Sequence, residues 1–370
     1  MNRLLRILEV ARWAPSGDNS QPWRFEILSP EHLVVHAFTR KLGVYDLDGS
    51  AAEMSVGALL ETMRIAASAE GCAMRFECRS GAEGGDAALI DVWIEEAGDV
   101  RPDPLLPFVR ERSVQRRPLR TERLGPASKA ALESSLGRGF RVVWFESQRE
   151  RLRMAWLAVR SAKIRLTIPE AYAVHCQVIE WGARYSADRI PDQALGADAL
   201  SVRSMRWLLA SWRRVQLMNR YFGGTLAPRL QLELLPGLRC AAHFAIVSAQ
   251  APSGIEDHLR AGAAAQRFWL TACSLGLQLQ PQHTPIMFAA YARRGVRFTE
   301  VGQARARAGE VAAALEGILG PEHASKAVFL GRLGRGAAAR ARSLRLPLQE
   351  LVLADQTRPP HLEGGRVTER

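Results

Sequence analysis

Asn19 and Gln21 stand two residues apart in Ala14-Pro15-Ser16-Gly17-Asp18-Asn19-Ser20-Gln21-Pro22-Trp23, a run of small turn residues, two carboxamides and a Pro-Trp step. Each carboxamide brings two donors and an acceptor, which suits the mixed donor–acceptor edge of a flavin ring. Pro15 presets φ, and Ser16 and Gly17 let the backbone bend sharply. The plain alternative is a helix C-cap and turn before a strand. The simultaneous presence of Pro-Ser, Asn-x-Gln and Pro-Trp favours a ligand loop. A second group is Arg110-Glu111-Arg112-Ser113-Val114-Gln115-Arg116-Arg117-Pro118-Leu119. Guanidinium groups bind phosphate oxygens in a bidentate manner, and a serine hydroxyl can donate beside them. Read alone, this run is also compatible with a solvated basic segment.

The loop resembles the flavin-contacting loop of the FMN-dependent nitroreductase superfamily, and is most similar to that of its tandem, single-chain Acg-type members. The resemblance implies an α+β nitroreductase-like fold. Two repeats of a mixed or antiparallel sheet flanked by helices would form a single-chain pseudo-dimer with a helical insertion. Family subunits carry an Arg-Ser-x-Arg arm for the FMN phosphate ahead of the loop. Here the loop (Pro15, Ser16, Asn19, Gln21) lies in the first half. The arm (Arg112, Ser113, Arg116, Arg117) opens the second, with no Asn-x-Gln-Pro-Trp loop after it. Complementary halves imply one complete FMN site. The segment Gly276-Leu277-Gln278-Leu279-Gln280-Pro281-Gln282-His283-Thr284 resembles the family stretch that passes flavin N5. It assigns Pro281, Gln282 and His283 to the cofactor. Gln282, His283 and Thr284 replace the usual acidic or glycine positions, so which N–H faces N5 stays open. His283 is a candidate proton donor or a histidine lining the cleft; no other catalytic residue is indicated. Finally, Phe329–Gly334 followed by Arg342-Ser343-Leu344-Arg345-Leu346-Pro347-Leu348 resembles the closing strand and C-terminal arginines that return to the phosphate. Arg345 is the first choice there and Arg342 the second.

The elements that must position these residues read as follows. Apolar spacing gives helix 2–13, strands 23–28 and 33–38, helix 50–70, and strands 73–79 and 87–94. Arg101–Pro107 is a proline-punctuated linker. A second unit holds helix 127–136, strand 140–145, several helices in 149–220, strand 241–248, helices 255–275 and 303–319, and strand 325–330. The expected division is 1–107, then 108–352 with an insertion or lid at about 149–235, then a flexible tail at 353–370. An internal repeat supports two halves: Gly57–Gly71 and Gly262–Gly276 both run Gly-Ala to Gly with the same spacing, and both suit helices ending in a glycine C-cap. Within the insertion, the Arg- and Trp-bearing stretch Ser204–Val215 is open to four readings: packing, lid, partner surface or membrane-surface helix. Arg165, Tyr172, Trp181 and Tyr221 are candidate substrate contacts.

At 370 residues, with 47% hydrophobic and 24% charged residues, the chain reads as an ordinary globular protein. No apolar run reaches membrane-span length, and no signal-peptide core is visible, so a cytoplasmic location is expected. Five cysteines without a Cys-x-x-Cys pair read as core thiols, and the scattered histidines indicate no metal site. The net charge of +12 comes almost wholly from arginine, with no nucleic-acid-binding signature. The expected activity is FMN-dependent oxidoreduction in which NAD(P)H or a biosynthetic intermediate exchanges electrons with a second small molecule. No Rossmann fingerprint is present, so NAD(P)H would bind transiently over the flavin. The expected assembly is a monomer built as a pseudo-dimer, or a higher homo-oligomer. The alternative is an FMN-sequestering protein with little turnover.

Overall fold

A computed structural model describes residues 2–39, 43–79 and 87–353. All but the first residue of the tail expected at 353–370 lies outside the described residues. Helix α1 (Arg3–Ala11) starts at Asn2, whose side chain accepts from the Leu4 N–H, and buries Leu4, Ile7, Leu8 and Ala11 along one stripe. Strands β1 (Trp23–Ile27) and β2 (His32–Ala37), helix α2 (Ser50–Ala69), and strands β3 (Cys72–Cys78) and β4 (Ala88–Glu96) complete the first unit. The second unit has β5 (Phe140–Phe145), helix α3 (Gln148–Arg165), helix α4 (Pro169–Val178), and cap helices α5 (Ala199–Leu209) and α6 (Trp212–Tyr221). Strand β6 (Ala242–Ser248), helix α7 (Ile255–Ser274), strand β7 (Gln278–Pro281), helices α8 (Thr284–Arg294) and α9 (Gly302–Leu319), and strand β8 (Ala327–Gly334) follow. The class is α+β, as expected.

The two main sheets have the same connectivity. Each is antiparallel throughout, takes its first two strands before a 20-residue helix and its last two after it, and places the third strand at an edge: β1-β2-β4-β3 and β5-β6-β8-β7. Both long helices are followed by a glycine in the left-handed region, Gly71 at φ +67° and Gly276 at φ +69°. The helices α2 and α7 pack on each other with their backbones in contact. A Cβ on Gly57 would overlap the Leu259 carbonyl, and one on Gly262 would overlap the Met54 carbonyl. Each glycine thus faces the residue three positions before the other.

The first sheet packs one face on α1 and α2, through Trp23, Phe25, Leu33, Val35, Ile90 and Val92. The second is covered on both faces. Phe244, Ile246 and Leu279 meet Phe268 and Trp269 of α7, while Ala245, Val247 and Leu330 meet α3, α8 and α9. Helix α3 starts with a capping box between Ser147 and Glu150 and buries Met154, Leu157 and Ile164 in this core. The stretch read as an insertion from 149 is therefore core up to Arg165, and the cap proper comes later. The chain end also crosses between units: Leu346, Leu348 and Leu351 join the first core, and Val352 bridges Phe25 of β1.

Gly262→Ala is expected to lower unfolding stability by about 1–3 kcal/mol, because a rigid backbone must move. Gly309→Ala, in the interior of α9 with nothing near its Cβ, is expected to raise it by about 0.5–1 kcal/mol. Denaturant unfolding of the two variants tests the difference.

Candidate functional site

A cavity of about 1020 Å³ opens where the two units and the cap meet. Its walls come from the Pro15–Ser20 loop, the start of α2, the Arg112–Arg116 arm, the β7–α8 junction, residues 341–345 and the inner side of the cap. This is ample for a nucleotide-sized ligand with a second small molecule. Pro15, Ser16, Asn19, Arg112, Ser113, Arg116, Pro281, Gln282, His283, Arg342 and Arg345 all line it. Two expected residues do not. Arg117 points outward and is exposed. Gln21 is buried behind the loop, its amide nitrogen donating to the Asn19 and Ala187 carbonyls and its oxygen accepting from the Leu346 N–H.

Asn19 departs from expectation in the same way. Its amide nitrogen donates to the Ala187 carbonyl at 3.0 Å, and its oxygen accepts from Arg345 at 2.9 Å. Both carboxamides therefore hold the loop to the cap and to the chain end. The sharp bend also lies elsewhere than at Ser16 and Gly17. Asp18, Asn19 and Gln21 take φ values of +50°, +62° and +46°. Three such residues in four positions represent about 1–3 kcal/mol of strain each. The Ser16 hydroxyl accepts from the Gln21 N–H at 3.0 Å and helps to fix the turn.

One end of the cavity concentrates positive charge. Arg112 is 4% exposed and Arg345 9%, and Arg342 is half-buried beside them. None of the three has a carboxylate partner among the described residues. Arg112 donates to the Trp13 carbonyl and stacks 4.5 Å from the Trp269 ring. Arg342 donates to the Arg110 and Arg112 carbonyls. Arg345 donates to the Ala14 and Leu344 carbonyls and to Asn19. The Nε atoms of Arg112 and Arg342 are buried with no acceptor. Burial, with Arg342 next in importance, pulls the Arg112 guanidinium down to about 9. Burial, then Arg112, Arg342 and Arg12, holds Arg345 well below the ordinary arginine range. Unpaired buried cations of this kind are strongly unfavourable, and an anion resolves the deficit.

The other side is internally balanced. Arg165 pairs with Glu233 at 2.5 Å, and the Tyr45 hydroxyl meets His175 Nε2 at 2.8 Å. Burial, then Arg165, lowers the His175 imidazolium to about 3, so the ring is neutral at pH 7. Asp18 is exposed and lines the cavity. Desolvation there raises its carboxyl, while Arg116 and Arg165 act against that. These contacts tie the first unit to α3, α4 and the Leu230–Leu234 turn. Around the middle, Gln266 and Gln280 each present a buried side-chain oxygen without a donor. Their amide nitrogens are engaged with Thr62 and Pro281, which fixes the orientation. The Gln282 N–H is taken by the Leu330 carbonyl, whereas the N–H groups of His283 and Thr284 have no acceptor among the described residues. Burial lowers the His283 imidazolium, so its ring too is neutral at pH 7.

Several contributors were not anticipated. Arg332 is 2% exposed, lines the cavity, and clamps the arm by donating to the Gln115, Arg116 and Arg117 carbonyls. Tyr45, His175, Glu233 and Gln266 carry no local motif that would single them out. Of the candidate substrate contacts only Arg165 lines the cavity; Tyr172 packs on Trp212, and Tyr221 faces outward. The five cysteines are free, and no metal-binding cluster occurs among the described residues.

No protein-family model and no curated protein matches the chain. Among solved structures, a nitroreductase-like family protein from Bacillus cereus aligns at 12% identity over 67% of this chain and 94% of its own, with a TM-score of 0.34. A BluB-like flavoprotein from Clostridium difficile 630 aligns at 13% over 67% and 97%, with a TM-score of 0.35. An FMN-dependent nitroreductase from Mycobacterium smegmatis, in complex with NADPH, aligns at 14% over 66% and 94%, with a TM-score of 0.32.

Inorganic phosphate is expected to raise the unfolding stability of ligand-free protein above that in chloride at equal ionic strength, by about 1–3 kcal/mol near saturation. Arg112→Met should abolish that increment while leaving stability without phosphate unchanged or higher, since it removes an unpaired buried charge.

Proposed function

We propose that the chain is an FMN-dependent oxidoreductase with one flavin site built from residues 1–107 and 108–352 as the two halves of a single-chain pseudo-dimer. The observation that carries this reading is the group of Arg112, Arg342 and Arg345 at one end of a nucleotide-sized cavity. Arg112 and Arg345 are buried and Arg342 is half-buried; none has a carboxylate partner among the described residues, and two of their Nε atoms are without acceptors. A phosphate monoester supplies the missing charge and acceptors. Ser113 and Arg116 lie on the same wall. Gln266 and Gln280 offer the acceptors that a ring N–H needs, and the free N–H groups at the start of α8 offer donors to ring nitrogen or oxygen. When bound, FMN supplies two-electron chemistry that no side chain here provides. The chain's own residues hold the phosphate, orient the ring and exclude water, and the neutral His283 is positioned to carry a proton at the β7–α8 junction.

The reductant in this reading is NAD(P)H or a biosynthetic intermediate, and the second substrate is a small molecule entering beneath the cap. One observation favours the alternative of a sequestering protein. The Arg165–Glu233 and Tyr45–His175 contacts join α3 to Leu230–Leu234 and the first unit to α4 along the cavity wall, which would restrict access for a second substrate.

The purified protein should show a flavin absorbance spectrum with about one FMN per chain. A colourless protein that takes up no added FMN overturns the reading, and two flavins per chain overturn the composite site. Arg345→Ala should weaken FMN at least about tenfold while changing riboflavin affinity little, because a charge-assisted phosphate contact is worth about 1.5–3 kcal/mol. Bleaching by NAD(P)H supports turnover, whereas bleaching by dithionite alone supports sequestration.

A further inference from the structure

The cap carries a surface that the cavity does not use. Residues 199–232 contain six arginines and no aspartate, glutamate or lysine. None of the six pairs with a carboxylate among the described residues. Helices α5 and α6 have no fully buried residue, and each has two different faces. Met205, Leu208 and Leu209 of α5, and Val215 and Met218 of α6, line the cavity. The opposite faces are exposed. On α5 that face presents Leu200, Arg203, Arg206 and Trp207; on α6 it presents Arg213, Leu217, Arg220 and Tyr221. Those spacings are i, i+3, i+6 and i+7 on α5 and i, i+4, i+7 and i+8 on α6, so each set forms one stripe. Phe222 and Leu226 continue the apolar surface beyond α6 at 73% and 54% exposure, and Trp207 is 56% exposed. Arg214 stacks 4.7 Å from the Trp207 ring and donates to its carbonyl, and Arg220 lies 5.4 Å from the Tyr221 ring.

Large apolar side chains on an outer surface usually mark contact with another phase or partner. Aromatic and leucine side chains alternating with arginines, on short helices lying flat over a globular body, form the composition of an interfacial helix. Beside the cap, a cleft of about 460 Å³ between α3 and α9 gathers Arg160, Lys163, Arg229 and Arg307 around a single carboxylate, Glu310, with Trp156 at its edge. The positive charge therefore continues past the helices. No helix of the described residues is long and apolar enough to cross a membrane, so any membrane contact by these helices is peripheral.

We infer that the outer face of α5 and α6, with the adjoining basic cleft, docks the protein on an anionic phospholipid surface. Trp207, Tyr221, Phe222 and Leu226 enter the headgroup layer, and the arginines meet lipid phosphates and carboxylates. The absence of acidic residues over the whole stretch is what favours an anionic bilayer. A zwitterionic bilayer offers no counter-charge, and a protein groove would leave six arginines to be neutralised one by one. The inference does not depend on the content of the cavity.

The test is co-sedimentation of the full chain with large unilamellar vesicles of phosphatidylcholine alone, or with about 30 mol % phosphatidylserine. Binding to the serine-containing vesicles but not to phosphatidylcholine is expected, weakening as salt rises. The quadruple variant R203E/R206E/R213E/R220E should lose at least about tenfold in partitioning, each basic residue near an anionic surface being worth about 1 kcal/mol. Trp207→Ser with Phe222→Ser should lose binding while keeping all charges. R123E/R138E, two exposed arginines elsewhere, should change it less than about twofold. Circular dichroism melts establish that each variant is folded. No binding to serine-containing vesicles at low salt overturns the inference. So does equal binding by the quadruple variant, or retention by immobilised DNA or an acidic protein without any vesicle binding.

Discussion

The contact of two backbones at Gly57 and Gly262 sets where everything else in this molecule sits. With no side chain at either position, α2 and α7 approach until carbonyl groups of one helix meet the Cα of the other. The sheets then lie on opposite sides of this pair. The Pro15–Ser20 loop leans on the start of α2, and the arm at Arg112 leans on Trp269 of α7. The large cavity is the space left between elements that two helices hold at fixed separation. Larger residues at the crossing would move its walls before they touched any residue that lines it.

Charge is the second constraint. Arg12, Arg110 and Arg342 surround the Trp13 ring at 5.4–5.8 Å, and Arg112 stacks on Trp269. Arg12 and Arg110 also pair with Glu9, but around Arg112 and Arg342 aromatic faces and backbone carbonyls stand in for anions. They lessen the desolvation penalty without removing it. The loop adds strain of its own through Asp18, Asn19 and Gln21. A region that is both strained and electrostatically unfinished is what the fold must over-determine elsewhere, and the well-packed cores on both faces of the second sheet supply that stability.

Local patterns were readable before the fold was known. The α2 and α7 helices, their matched glycines and most strands follow from apolar periodicity and glycine placement, and the expected ranges differ from the observed ones by a residue or two in most cases. The loop, the arm, the Pro281–His283 segment and the C-terminal arginines were identifiable by composition and by resemblance, and eleven of their thirteen candidate residues line one cavity. What was not legible is non-local. Asn19 and Gln21 look like ligand contacts, yet their partner is Ala187, 168 and 166 residues away. Arg332 sits in a strand with no motif, and its role exists only because the arm passes over it. Helix α8 and strand β7 are not among the expected elements, because four residues of strand and a proline at the helix start carry little periodicity.

The crossing of the chain end has a consequence for biosynthesis. The first unit's strands are complete once Glu96 has been made, but Leu346, Leu348 and Leu351 belong to its core, and Arg345 is what the Asn19 oxygen accepts from. At a translation rate of about 5–20 residues per second, the nascent first unit waits on the order of 10–50 s for those residues to leave the ribosome. Throughout that interval an apolar patch beside β1 stays uncovered, and the loop lacks the contact that holds its left-handed residues. The first half of this protein to be synthesised is therefore among the last parts to become native.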